Sequence, residues 1–264
     1  MDYSQFDAIL LDLDGTIYSE EHALPGAVDL VARLNEKGRQ FACLSNSTLS
    51  PQGIAQRLIR MGISIAPEHI YSAAAAAADY VLDRYKSPRR VYNLATDGMA
   101  ELLDEHVTWV QKGDEDCDAV IAGAPANVYA TEERQRVALM LLRGGADLIG
   151  ICPDRVYPSP RGLEFGVGAH CAMLGYAANI TPIFVGKPQE IFFHKLCERL
   201  GVDPRRCVLI GDNPESDIAG AKRVGMATVL TLTGVTKRED IDRLAAKDRP
   251  DDVIDDLREL VGRV

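Results

Sequence analysis

Residues 183–232 read IFVGKPQEIFFHKLCERLGVDPRRCVLIGDNPESDIAGAKRVGMATVLTL, three short apolar runs separated by two stretches of helical spacing. Ile183 to Val185 and Cys207 to Ile210 are continuous apolar runs, and Ala227 to Leu232 is apolar but for two threonines, the pattern of strands buried on both faces. Gln189 to Leu200 and Ile218 to Val224 repeat their apolar residues at helical period. Strand and helix in alternation predict an α/β fold with a doubly wound, Rossmann-like parallel sheet. Ligands of such sheets lie at the carboxyl ends of the strands. Lys187 follows the first of these runs and Asp212 the second.

The same pattern continues towards the N-terminus. Phe6 to Leu13 predicts a buried strand that ends in Asp14-Gly15-Thr16. Val28, Val31 and Leu34 mark a helix, with Gly38 where it terminates. Phe41 to Leu44 is a second strand, running into Ser45-Asn46-Ser47-Thr48, and Ser50 with Pro51 starts another helix. The alanine run 73–78, flanked by Tyr71, Tyr80, Val81 and Leu82, predicts a packed helix. After the break at Lys86-Ser87-Pro88, the strands Val91 to Leu94, Ala119 to Gly123 and Leu148 to Ile151, with the helix Glu132 to Arg143, form a smaller α/β unit. Cys152 to Gly168 carries three prolines and three glycines and reads as loop, and Thr181-Pro182 marks the return. The expected division is therefore a core of 1–82 and 181–264 with an inserted cap at 83–180.

Composition narrows the function. A formal net charge of −10 with no basic run argues against nucleic acid as a partner. No stretch approaches the ~18 apolar residues of a membrane helix, and the N-terminus has no signal-like segment, so no membrane partner is expected and a cytoplasmic location is. The six cysteines, 43, 117, 152, 171, 197 and 207, form no C-x-x-C pair and read as reduced thiols, with Cys43, Cys197 and Cys207 inside apolar elements. The scattered histidines offer no metal motif.

The chemistry-bearing residues follow strands. Asp12 and Asp14, two apart at a strand end, suit a carboxylate that attacks phosphorus and a second that protonates the leaving oxygen and then activates water. Asp-Gly is also a common turn, which leaves a solvated acidic loop open. Ser45 and Asn46 can hold phosphate oxygens or simply cap a turn. Lys187 places a cation where it offsets repulsion between carboxylate and phosphate. Gly211-Asp212-Asn213-Pro214-Glu215-Ser216-Asp217 adds hard oxygen ligands of the kind magnesium takes. Asp217 has two readings, a brace or water-mediated ligand of the metal, and the N-cap of the helix from Ile218.

Asp12-Leu13-Asp14-Gly15-Thr16, Ser45-Asn46, Lys187 and Gly211-Asp212 to Asp217 stand in the order of the four haloacid dehalogenase superfamily motifs. The chain resembles that superfamily over nearly its whole length. It is most similar to the NagD and p-nitrophenylphosphatase branch in its long insert, in Gly186-Lys187-Pro188 and its spacing to the last motif, and in Leu232-Thr233-Gly234-Val235-Thr236. The resemblance implies a magnesium-dependent phosphatase acting on a small phosphorylated metabolite such as a sugar phosphate, a nucleotide or glycerol phosphate. Its roles would be Asp12 as nucleophile, Asp14 as general acid/base and metal ligand through its carbonyl, Ser45 on phosphate, Lys187 as charge stabiliser and Asp212 on magnesium. It also implies a homodimer through the cap. The chain departs from the pattern at Cys152, where asparagine is common, and at Ser45, where threonine is commoner.

A phosphoacceptor switch would need neither Asp14 nor a large insert, and a dehalogenase characteristically lacks the Asp14 equivalent. Gly166-Val167-Gly168-Ala169-His170-Cys171 starts like a dinucleotide fingerprint but ends in cysteine and follows no strand. A non-catalytic or regulatory phosphate-binding protein on this fold is the alternative to the enzyme. Substrate choice is expected in the Cys152 to Gly162 loop, with Asp154 and Arg155 as substrate-binding candidates beside Tyr157 and Arg161.

Overall fold

The computed structural model describes residues 1–125, 129–159 and 161–264. The chain divides into two compact units, one of Met1–Ser45, Pro51–Tyr71 and Lys187–Val264, the other of Asn46–Ser50 and Ser72–Gly186.

The first unit is built on a six-stranded sheet in the order Asp252–Ile254, Ala227–Thr231, Cys207–Gly211, Ala8–Asp12, Phe41–Ser45, Ile70–Ser72. Ala8–Asp12 runs parallel to both its neighbours, with Ile9 opposite Val208 on one side and Phe41 on the other. All five of its residues are buried, which is why the sequence shows no alternation and the apolar run Ala8 to Leu11 leads straight into Asp12. The chain leaves this strand towards Phe41–Ser45 and later returns to Cys207–Gly211 on its other side. The carboxyl end of Ala8–Asp12 is therefore the topological switch point of the sheet.

Around the sheet, the helix Ala27–Glu36 buries Ala27, Leu30, Val31 and Leu34. Val28, read as part of the apolar stripe, is instead on the solvent face. The stripe follows i, i+3, i+4, i+7 from Ala27, and alanine is too weak a marker to have set that phase. Gly38 ends the helix in the left-handed region, as expected. Ile9, Leu11, Leu13, Ile54, Leu58, Val208, Ile210, Val229 and Leu257 share one core.

The second unit has a five-stranded parallel sheet, ordered Ile183–Phe184, Asp147–Gly150, Ala119–Ala122, Arg90–Leu94, Thr108–Trp109. Two consequences differ from the sequence reading. Ile183–Phe184 pairs with Ile149 and Gly150 and belongs to this sheet, so the divide falls after Gly186, not before 181. The alanine helix, Ala73–Arg84, packs on Asp97–Leu103, so the earlier divide lies at Tyr71 rather than 82. Its six alanines are all buried, a smooth face that lets a neighbour approach closely. Apolar period predicts that an element is packed but not which sheet or helix receives it.

Cys152 to Gly168, expected as loop, contains an antiparallel hairpin, Val156–Ser159 with Gly162–Phe165, followed by the helix Val167–Ala178. Pro160, between the two strands, lies outside the described residues. A Cβ on Gly166 would stand 2.1 Å from the Asp154 carbonyl oxygen, and one on Gly168 2.2 Å from that of Pro153. The two glycines thus let the helix start against this backbone, a packing reason for the fragment that resembled a nucleotide fingerprint. Among the described residues no helix is long and apolar enough to cross a membrane.

Candidate active site

The site grows from the ends of two adjacent parallel strands in the first unit. Asp12 is the last residue of Ala8–Asp12, and Asp212 follows Cys207–Gly211 directly. Both are 4% exposed, and Asp217 is fully buried. Ligand oxygens of these three carboxylates lie within 4.8 Å of one another. Lys187, 3% exposed, donates from Nζ to Asp12 Oδ1 and, at 2.7 Å, to Asp217 Oδ1.

Asp217 does not cap a helix. It sits inside a single π-helical turn, Pro214–Ile218, whose N-cap is Asn213: the Asn213 side chain accepts from Glu215 N and Ser216 N. Asp217 Oδ2 accepts from Asn213 N at 3.2 Å, so the carboxylate ties the turn back on itself while its other oxygen holds Lys187. Of its two sequence readings, the bracing one matches this geometry. Wide helical turns of this kind recur at functional sites.

Electrostatics follow from the count. Three carboxylates share one ammonium, leaving two formal negative charges in a buried space. Burial, then Asp217, pushes the Asp12 carboxyl well above its ordinary range, against the pull of Lys187. The same two causes raise Asp212 to about 6. For Lys187, burial pulls down, but Asp12 and Asp217 outweigh it and hold the ammonium charged. A cluster with this excess of hard, negative oxygen is what a divalent cation such as magnesium relieves.

Asp14 is reached differently from the expected strand alternation. The strand stops at Asp12, and Asp14 lies exposed in a turn in which Leu13 O accepts from Ile17 N and Tyr18 N. Its Oδ2 accepts from the buried Tyr18 hydroxyl at 2.8 Å. Arg57 donates to the same hydroxyl at 3.4 Å, lies 4.8 Å from the Tyr18 ring centroid and pairs with Glu21 at 3.2 Å. Burial, reinforced by Asp14, lifts the Tyr18 phenol far above its usual value and keeps it a donor. Tyr18 and Arg57 were not singled out from sequence. A tyrosine among Thr16, Ile17 and Tyr18 reads as core, and only the turn brings its hydroxyl back to Asp14.

Ser45 ends the strand beside Asp12 and is 2% exposed. Asn46, next in the chain, belongs to the second unit, where its Nδ2 lies 3.3 Å from Asp154 Oδ2. Asp154 is half-buried and Arg155 exposed, on the segment leading into the hairpin. Arg161 pairs with Glu164 at 2.8 Å across the hairpin end. The cysteines are all free thiols. Cys43, Cys197 and Cys207 are buried, and desolvation holds the Cys43 thiol protonated.

Comparison with known proteins places this geometry. The family described as haloacid dehalogenase-like hydrolase matches residues 9–107, and a HAD-hydrolase-like family matches residues 184–260. An acid sugar phosphatase of Staphylococcus aureus is 36% identical over 239 residues, covering 90% of each chain. The solved structure of NagD from Escherichia coli K-12 superposes with a TM-score of 0.86 at 26% identity, over 97% of this chain and 98% of that one. A glycerol phosphate phosphatase from Mycobacterium tuberculosis, solved in complex with magnesium, gives 0.88 at 25% identity, over 98% of this chain and 78% of its own. With the motif residues gathered at the switch point of the matching sheet, the chain belongs to the haloacid dehalogenase-like hydrolases, in the branch that contains NagD.

Proposed function

We propose that this protein is a magnesium-dependent phosphatase that hydrolyses small phosphate monoesters through an aspartyl-phosphate at Asp12. The observation that carries the reading is the buried cluster of Asp12, Asp212 and Asp217 against Lys187 at adjoining strand ends. Asp12, Asp212, Asp217 and the Asp14 carbonyl would hold magnesium, directly or through water, and the ion supplies charge neutralisation for the phosphate.

The chain's own residues divide the remaining work. A carboxylate oxygen of Asp12 forms a bond to phosphorus as the ester P–O bond breaks, and Asp14 gives its proton to the departing oxygen. Asp14 then takes a proton from water as that water attacks phosphorus, which breaks the Asp12–phosphorus bond and releases phosphate. Lys187 keeps one oxygen of Asp12 fixed and neutralised while the anionic phosphate approaches. Ser45, at the neighbouring strand end, serves as a phosphate hydrogen-bonding group.

The names of the relatives support small esters, sugar phosphate and glycerol phosphate among them, as the substrate class. Six free thiols, with Cys197 Sγ and Cys207 Sγ unbridged at 3.9 Å, support a reducing compartment such as the cytoplasm. Hydrolysis of p-nitrophenyl phosphate by the purified protein tests the reading. Turnover should require added magnesium, stop with a chelator and vanish in Asp12→Asn, whereas near-normal turnover in Asp12→Asn would contradict it.

A further inference from the structure

The segment after the strand Ala227–Thr231 has no role in the chemistry above, yet three of its hydrogen bonds end on Asp212 or on the turn carrying Asp14. The Thr231 and Thr233 hydroxyls lie 3.0 Å apart, and Thr233 Oγ1 donates to the Gly15 carbonyl at 2.7 Å. Val235 N–H donates to Asp212 Oδ2 at 2.7 Å, and Thr236 Oγ1 donates to the Asp212 backbone carbonyl at 2.7 Å. Thr231 and Thr236 are buried.

Two glycines make this approach feasible. A Cβ on Gly234 would stand 1.9 Å from Asp212 Oδ2, and one on Gly15, whose φ is +78°, would stand 2.4 Å from the same oxygen. One oxygen of Asp212 is thus enclosed by backbone from both sides and committed to a backbone donor. The carboxylate can meet a cation only through its remaining oxygen. Magnesium demands near-octahedral geometry and tolerates little ligand disorder, so the angle at which that oxygen is presented sets affinity.

We propose that Thr233–Thr236 is a positioning arm of the metal site: it fixes Asp212 as a one-oxygen ligand and ties that ligand to the Gly15 turn. Thr233, Gly234, Val235 and Thr236 are positioning residues, since each acts through Asp212 or the Gly15 turn. The inference rests on the reading of Asp12, Asp212 and Asp217 as a magnesium site.

Calorimetric titration of the full-length protein with magnesium tests it, alongside the magnesium dependence of p-nitrophenyl phosphate hydrolysis. Thr233→Val and Thr236→Val each delete one anchoring hydroxyl, and both should weaken magnesium by about 10- to 100-fold, the usual cost of losing a group that orients a metal ligand. Substrate KM at saturating magnesium should stay at the wild-type value, and Thr236→Ser, which keeps the hydroxyl, should restore affinity. Gly234→Ala should weaken magnesium at least as much; should it not fold, the two valine variants decide. Wild-type magnesium affinity in both valine variants overturns the arm alone. A wild-type protein that binds no magnesium overturns the site itself, and the arm with it.

Discussion

Replacing Lys187 by methionine keeps a long apolar stem and removes the ammonium that pairs with the buried carboxylates Asp12 and Asp217. With both partners and the lysine almost wholly shielded, solvent cannot substitute for the lost charge. Breaking a buried pair from one side typically costs about 3–5 kcal/mol, because the remaining charge stays desolvated. For a chain of this size, where 1 kcal/mol corresponds to roughly 2–4 °C, that is a fall of about 6–20 °C in melting temperature. The assay is a thermal melt of metal-free protein at pH 7.5 and again at pH 5. At the lower pH Asp12, already raised by burial, is more readily protonated, so the gap between wild type and variant should narrow. Turnover at pH 7.5 should fall by about 10²-fold or more, in line with removal of one group that stabilises developing charge. A variant that melts within 1 °C of wild type at both pH values, with unchanged turnover, would refute the assignment of Lys187 as counter-charge.

Tyr18→Phe should reduce kcat/KM for an alkyl phosphate, whose leaving oxygen needs the Asp14 proton, by about 10-fold, a fraction of the full worth of a general acid. It should spare p-nitrophenyl phosphate, and equal losses on both esters would count against Tyr18 orienting Asp14. Burial and Asp217 hold Asp212 at about 6 against an ordinary value of 3.8, so charging it costs the metal-free fold about 3 kcal/mol. That cost is full above pH 6 and relieved as pH falls from about 6 to about 4. Metal-free Asp212→Asn should therefore melt above wild type at pH 7.5 and lose that advantage by pH 4, and identical melts at pH 7.5 would contradict the stated burial cost. Asp154→Ala and Arg155→Ala should reorder the ranking among phosphate esters while keeping magnesium dependence; an unchanged ranking places substrate choice on other residues.

Much of the fold was legible because parallel strands buried on both faces leave largely apolar runs. Ala8–Asp12, Phe41–Ser45, Cys207–Gly211 and Ala227–Thr231 all appear within a residue or two of their predicted ends. The same cue failed to assign Ile183–Phe184 to its sheet, since an apolar triplet carries no record of its partner. It also missed the hairpin around Val156–Ser159, where two prolines and exposed side chains give no alternation to read. At the site, Asp12, Lys187 and Asp212 drew attention as charged residues at or just past apolar runs, and the order of the family motifs added Asp217; the structure brings the four side chains together. The supports were not legible. Tyr18 acts through a turn, Val235 through its backbone N–H and Gly234 through the side chain it lacks, and none of these leaves a residue-type signal.

The most direct test of the proposed chemistry is a rapid acid quench of magnesium-loaded Asp14→Asn mixed with a phosphate ester, followed by intact-protein and peptide mass measurement. Without Asp14 to activate water, breakdown of the intermediate should slow relative to wild type. One phosphoryl group should then accumulate on the peptide containing Asp12, and the same adduct should be absent from Asp12→Asn. Phosphate released by a turning-over enzyme with no adduct at any quench time, or an adduct that persists in Asp12→Asn, would contradict a nucleophilic Asp12.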